Sequence, residues 1–169
     1  MNNAPGDLVF AHNKNFIGRA IRAVEWVKFR GGDHFNHVAV LYKPTDDGDW
    51  LLIQAETRGV TCTKTLSSLT QKGGTYTIFP LSDFNGVNGY PCADDVVSFA
   101  HNEVGSKYGF LTIASILFTL FTPKFINVML PNTWICSALG AEALRAGGWI
   151  QHWSDLYQVN PAELWEAVR

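Results

Sequence analysis

An α+β domain with an antiparallel sheet is the fold class this sequence predicts, and three observations predict it. Short segments rich in β-branched and aromatic residues crowd the stretch from Phe35 to Leu81. Helical patterns lie outside that stretch, one before it and several after it. The chain has 169 residues, 47% of them hydrophobic and 17% charged, which suits a single domain over residues 1–169 with a sizeable core.

The elements follow in order. "GDLVF" (Gly6 to Phe10) is predicted as a short strand after a Pro-Gly turn. In "NFIGRAIRAVEWVKFR" (Asn15 to Arg30), Phe16, Ile17, Ala20, Ile21, Val24 and Val27 recur at helical spacing. Arg19, Arg22 and Lys28 then form a solvated face, and Gly31 closes the helix. "FNHVAVLY" (Phe35 to Tyr42) and "WLLIQAE" (Trp50 to Glu56) are strands joined by a hairpin turn at Asp46 to Asp49. "GVTCTKT" and "GTYTIFPL" add two more, so a meander is the economical topology.

Helices follow. "ADDVVSFAHNEVG" (Ala93 to Gly105) opens with acids that suit a helix N-terminus. Gly109 to Phe121 is the most apolar stretch, and at 13 residues it is too short to span a bilayer. A buried helix is expected there, with an acyl-lining wall or a peripheral membrane or partner contact as the alternative. Cys136 to Ala146 is a helix stopped by Gly147 and Gly148. "NPAELWEAV" carries Asn160 as cap, Pro161 at the first helical position and Glu163 in the capping-box position.

Charge and cysteine usage exclude several functions. The net charge is -2 with no long basic run, so nucleic acid is not an expected partner. Three cysteines (Cys62, Cys92, Cys136) with no C-x-x-C pair argue against a disulfide framework or a zinc knuckle, and a reducing compartment is expected. No metal or organic cofactor is implied. "MNNAPGDLVF" lacks the features of a signal peptide, so synthesis in the cytoplasm without one is expected.

The candidate chemistry centres on "TWICSALGAEALRAGG" (Thr133 to Gly148). Cys136 fits two roles, a packed core thiol or a nucleophile. In the first turn of a helix, peptide dipoles and unpaired N–H groups favour a thiolate, and the same groups can hold an oxyanion. Cys136, Gly140, Ala143 and Gly147 fall on one helical stripe of small residues, which lets the helix approach a sheet closely. His37 is the best-placed base of five histidines. His12 and His34 lie in loop-like surroundings, His101 on an outer helix face, and His152 beside an aromatic cluster. By alternation His37, Ala39 and Leu41 share one face of their strand, and Val38, Val40 and Tyr42 the other. A structural histidine satisfied by a polar partner is the competing role for His37. On the neighbouring strand, Gln54 and Glu56 share a face, and either offers an oxygen to the His37 Nδ1–H. Cys62 and Cys92 have no such surroundings. Trp134, Trp149, Trp153 and Trp165 suit core or anchoring roles, with a cleft border as the alternative.

These pieces carry a resemblance. "PGDLVF", "HVAVLY", "IQAETRGV", "VGSKYGF", "WICSALGAEAL" and "VNPAELW", spread from Pro5 to Trp165, resemble the circularly permuted papain-like hydrolases related to NlpC-type cell-wall peptidases. Their order is the specific part: histidine, polar residue, cysteine, where unpermuted relatives run cysteine, histidine, polar residue. The resemblance implies a permuted papain-like fold, an antiparallel sheet or partial barrel packed against the nucleophile helix. It places the nucleophile on Cys136, the base on His37 and the third residue on Gln54, with Glu56 in reserve. It also places an oxyanion-supporting hydroxyl on Tyr108. Gln54 stands where many relatives have histidine or glutamate, and Gly109 where many permuted relatives have aspartate.

The implied activity is a cysteine hydrolase acting on peptide amides of peptidoglycan, such as the D-glutamyl-diaminopimelate bond. A cell-wall substrate would then require delivery by a phage particle, a lysis protein with helper factors or a secretion apparatus. Permuted relatives also include lipid acyl hydrolases and acyltransferases, a second reading that the apolar 109–121 stretch supports, although the residues around Cys136 do not resemble those of the retinol-type acyltransferases. A non-catalytic binding module of the same fold is the third.

Overall fold

A computed structural model describes residues 3–12, 35–84, 91–111, 132–149 and 159–169. The expected helix at Asn15 to Arg30, its Gly31 cap, His34, the part of the apolar stretch beyond Leu111, His152 and Trp153 lie outside the described residues.

The described chain is mixed α+β. Five antiparallel strands form one sheet: β1 (Leu8–His12), β2 (His37–Pro44), β3 (Trp50–Glu56), β4 (Gly59–Thr65) and β5 (Thr75–Phe79). Their order is β4-β3-β2-β1-β5, and the edge strands β4 and β5 do not pair with each other. Two short strands, β6 (Lys107–Tyr108) and β7 (Thr133–Trp134), pair in parallel. Three helices are described: α1 (Ala93–Asn102), α2 (Cys136–Ala146) and α3 (Pro161–Val168).

The strand periodicity sorts the sheet residues as expected. Leu8, Phe10, Val38, Val40, Ile53, Ala55 and Val60 face the helices and pack with Val96, Leu139, Leu144 and Leu164. Val9, Ala11, Ala39, Leu41 and Leu52 face the other way. That second face explains where the simple meander fails. After β4 the chain does not turn back beside it. It runs through two 3-10 turns, Leu66–Leu69 and Gln71–Gly73, and reaches the far edge of the sheet beside β1. Leu66 and Leu69 are buried against the second face on the way. The crossing covers apolar surface that a hairpin would leave in water.

The first strand also differs from its expected bounds. It runs Leu8–His12, and His12 pairs with Thr75 rather than sitting in a loop. Gly6 takes a positive φ of 89° in the preceding turn. The Asp7 carboxylate there accepts the Ala4 N–H at 2.8 Å and the Leu81 N–H at 2.9 Å. Helix α1 ends at Asn102, short of Gly105. The chain leaves the helix because Gly105 N–H and Ser106 C=O bond to Val60 on β4, at 3.0 and 2.8 Å. Helix α3 forms on its capping box, with Asn160 Oδ1 accepting from the Glu163 N–H at 2.8 Å and Glu163 Oε2 from the Asn160 N–H at 3.1 Å.

Two glycines set distances that matter for the site. A Cβ on Gly140 would lie 3.1 Å from Val38 Cγ1, so α2 rests almost directly on β2. Gly59 has φ 107°, and a Cβ there would meet the Ser106 carbonyl oxygen at 2.4 Å. Gly59→Ala is expected to cost about 1–3 kcal/mol, from backbone strain and this collision together. Chemical denaturation should show the loss as a lower midpoint. An unchanged midpoint would refute the tight docking of residues 105–107 on β4.

Candidate active site

The site forms where two elements begin. His37 is the first residue of β2 and Cys136 the first of α2. Helix α2 lies on the Val38 and Val40 face, not on the face His37 shares with Ala39 and Leu41. The ring and the thiol nevertheless meet, because each stands at the end of its element. They are hydrogen-bonded to each other. Cys136 is 4% exposed and His37 7%.

Gln54 completes the chain. It is fully buried on β3, and His37 Nε2 lies 2.6 Å from its Oε1. A carbonyl oxygen only accepts, so Nε2 carries a proton and Nδ1 is left for Cys136. The sequence-based expectation had Nδ1 donating to the third residue, and the structure reverses this. The distal nitrogen, Nε2, is the one that reaches across to the next strand. Of the two candidate partners, Gln54 is the one that bonds the ring. Glu56 Oε1 accepts from Lys64 Nζ at 2.6 Å, and the Glu56 carboxylate acts on His37 only by its charge.

Helix α2 has no side-chain cap and no acid in its first turn. Its first N–H groups are therefore not used by a capping side chain. The Ser137 N–H, together with that of Val38, bonds the Cys136 sulfur. Ser137 Oγ–H donates to the Val159 carbonyl, which ties the start of α2 to the approach of α3. The Val38 contact could not be found from sequence, since any residue supplies a backbone N–H.

Tyr108 reaches the site through β6. It pairs with Trp134, two residues before Cys136, and the Gly109 N–H bonds the Trp134 carbonyl at 3.0 Å. Glu103 anchors this corner, its Oε2 accepting from Trp134 Nε1 at 2.6 Å and from Ser106 Oγ at 2.7 Å. Sequence reading missed Glu103, which looks like an ordinary helix-end acid. Trp134 and Trp149 are buried in the core, and Trp165 packs with Phe10, Phe35 and Phe79.

Electrostatics at the site oppose one another. Burial pushes the Cys136 thiol up, but the bond and charge of His37, with the Val38 and Ser137 N–H groups, outweigh it and hold the thiol below its ordinary value. Burial pulls His37 down, but the Cys136 bond and charge, then Gln54 and the Glu56 charge, leave it raised. Burial, with the charges of Cys136 and Glu56, pushes the Tyr108 hydroxyl far up, so it stays a proton donor. Elsewhere, Cys62 is half-buried and burial pushes its thiol up, while Cys92 is exposed. His101 is exposed and stacks on Tyr42, with ring centroids 5.1 Å apart. Among the described residues, no group of three His, Cys, Asp and Glu side chains is placed to hold a metal ion. No helix of the described residues is long and apolar enough to cross a membrane.

No family profile matches the chain, and no curated protein matches it in sequence.

A depressed thiol pKa keeps the thiolate present as the pH falls below the ordinary thiol range. Iodoacetamide at about pH 6 is therefore expected to label Cys136 ahead of Cys62, read peptide by peptide by mass spectrometry. His37→Ala should slow Cys136 labelling at least about tenfold, one pKa unit's worth, and leave Cys62 unchanged. Equal labelling of both thiols in the wild-type chain would refute an activated Cys136.

Proposed function

We propose that this chain is a cysteine hydrolase of amide bonds with a permuted papain-like fold related to the NlpC-type peptidases. One observation carries the proposal: a buried, hydrogen-bonded chain of Cys136, His37 and Gln54 at the start of a helix, with Tyr108 close enough to feel the charge of the thiol. The order of these residues along the chain supports the permuted reading, with histidine on β2, glutamine on β3 and cysteine on α2.

The steps follow from the groups present. His37 Nδ1 takes the Cys136 proton, and the thiolate attacks the carbonyl carbon to form a C–S bond. The carbonyl electrons move to oxygen, where the Cys136 N–H and the Tyr108 hydroxyl stabilise the charge. The oxyanion collapses, His37 gives its proton to the leaving amine, and the C–N bond breaks. Water then attacks the thioester, His37 accepts its proton, and the thiolate departs. Gln54 Oε1 holds the ring through both half-reactions.

The substrate of this reading is a peptide amide of peptidoglycan. A second reading, hydrolysis or transfer of a lipid acyl group, draws on Phe110 and Leu111, about half exposed next to Tyr108. Incubation with purified muropeptides, analysed by mass spectrometry, is expected to show amide cleavage that Cys136→Ala and His37→Ala abolish. Tyr108→Phe should lower turnover about 100-fold, the effect of losing one oxyanion donor. Acyl release from a phospholipid or thioester with intact muropeptides would favour the second reading. No turnover of either substrate, with an unreactive Cys136, would favour a binding module.

A further inference from the structure

The third residue of the site leaves half of its side chain unexplained. Gln54 Oε1 is bonded to His37, but Gln54 Nε2 is buried and has no hydrogen-bond partner. One other buried side-chain atom among the described residues shares that condition, Thr61 Oγ1. The two residues are register partners across β3 and β4. Directly opposed residues of an antiparallel pair project from the same face, with Cβ atoms about 4.5–5.5 Å apart. A donor and an acceptor, each costly to leave unmade, thus lie side by side. Glu56, the next residue on that face of β3, has turned to Lys64.

We propose that Thr61 is a positioning residue for His37. Its hydroxyl accepts a hydrogen bond from the Gln54 side-chain NH2, directly or across one water, and so holds the Gln54 carbonyl toward the ring. The inference rests on the thiol hydrolase reading above.

The orientation has a chemical consequence because an amide has two unlike ends. With Oε1 toward His37, the ring keeps its proton on Nε2 and presents Nδ1 to the thiol. With the amide reversed, an N–H would face Nε2. The neutral ring would shift its proton to Nδ1, the nitrogen needed as base. The imidazolium, which has an N–H on both nitrogens, would meet a donor instead of an acceptor. An acceptor for Gln54 Nε2 removes this ambiguity, and Thr61 is the residue in register to supply it. The other titratable groups facing His37 are Cys136 from α2 and Glu56 from β3; Tyr108 from β6 faces Cys136 and Glu56.

The test is the pH dependence of Cys136 alkylation by iodoacetamide, which needs no knowledge of the substrate. Loss of one orienting hydrogen bond predicts that Thr61→Val alkylates about three- to tenfold more slowly than wild type near about pH 5, with its profile displaced to higher pH. Thr61→Ser should restore the wild-type profile. In a Gln54→Glu background Thr61→Val should add no loss, because a carboxylate presents an oxygen in either orientation. Thr61→Ala serves the same comparisons if the valine variant does not fold. A Thr61→Val profile that superimposes on wild type, an equal loss in Thr61→Ser, or an equal loss in the Gln54→Glu background would each overturn the assignment. A wild-type Cys136 no more reactive than Cys62 would overturn the hydrolase reading itself, and this inference with it.

Discussion

The contact between the Cys136 thiol and the His37 ring is the constraint that the rest of the site serves. Neither group is comfortable alone in the interior. A buried thiolate lacks a counter-charge, and a buried imidazolium lacks an acceptor. Each supplies what the other needs, and Gln54 Oε1 satisfies the far side of the ring at 2.6 Å. The pairing therefore makes demands on the surrounding structure. The β2–β3 register must bring Gln54 within reach of His37 at the start of β2, and α2 must rest close enough for its first residue to touch that start. Gly140 against Val38 permits the second condition.

Burial acts twice on this arrangement. It opposes the charged form of each group separately, and it strengthens their attraction by excluding water. For both Cys136 and His37 the partner outweighs the desolvation, so the two shifts point in opposite directions and favour one ion pair. The coupling is local, within a few side chains. Tyr108 belongs to the same field but responds in the other sense, as a hydroxyl kept protonated by burial and by neighbouring negative charge. A thiolate, an imidazolium and a neutral phenol are a compatible set for acyl transfer.

The supporting frame is distributed over the chain. Glu103 joins the end of α1 to Trp134, Gly59 admits the 105–107 segment beside β4, and Ser137 ties α2 to Val159. These contacts hold Tyr108 and Cys136 at neighbouring positions through a two-residue parallel pair. So short a pair has little stability of its own, and it persists because both of its ends are anchored.

Local chemistry was written plainly in the sequence. The alternation in "HVAVLY" and "WLLIQAE" sorted the two faces of the sheet, the Asp46 to Asp49 hairpin joined β2 to β3, and the Asn160 capping box and Gly147-Gly148 stop bounded their helices. These signals are short-range, arising from side-chain period and backbone conformation within a few residues. The candidate residues Cys136, His37, Gln54 and Tyr108 were also nameable there. Their meeting was decided by tertiary structure, as were the place of β5 beside β1, the use of Nε2 rather than Nδ1 toward Gln54, and the turning of Glu56 to Lys64. Each of those depends on which surfaces long-range packing covers and on which atoms then fall within about 3 Å of one another, and no local pattern encodes such distances.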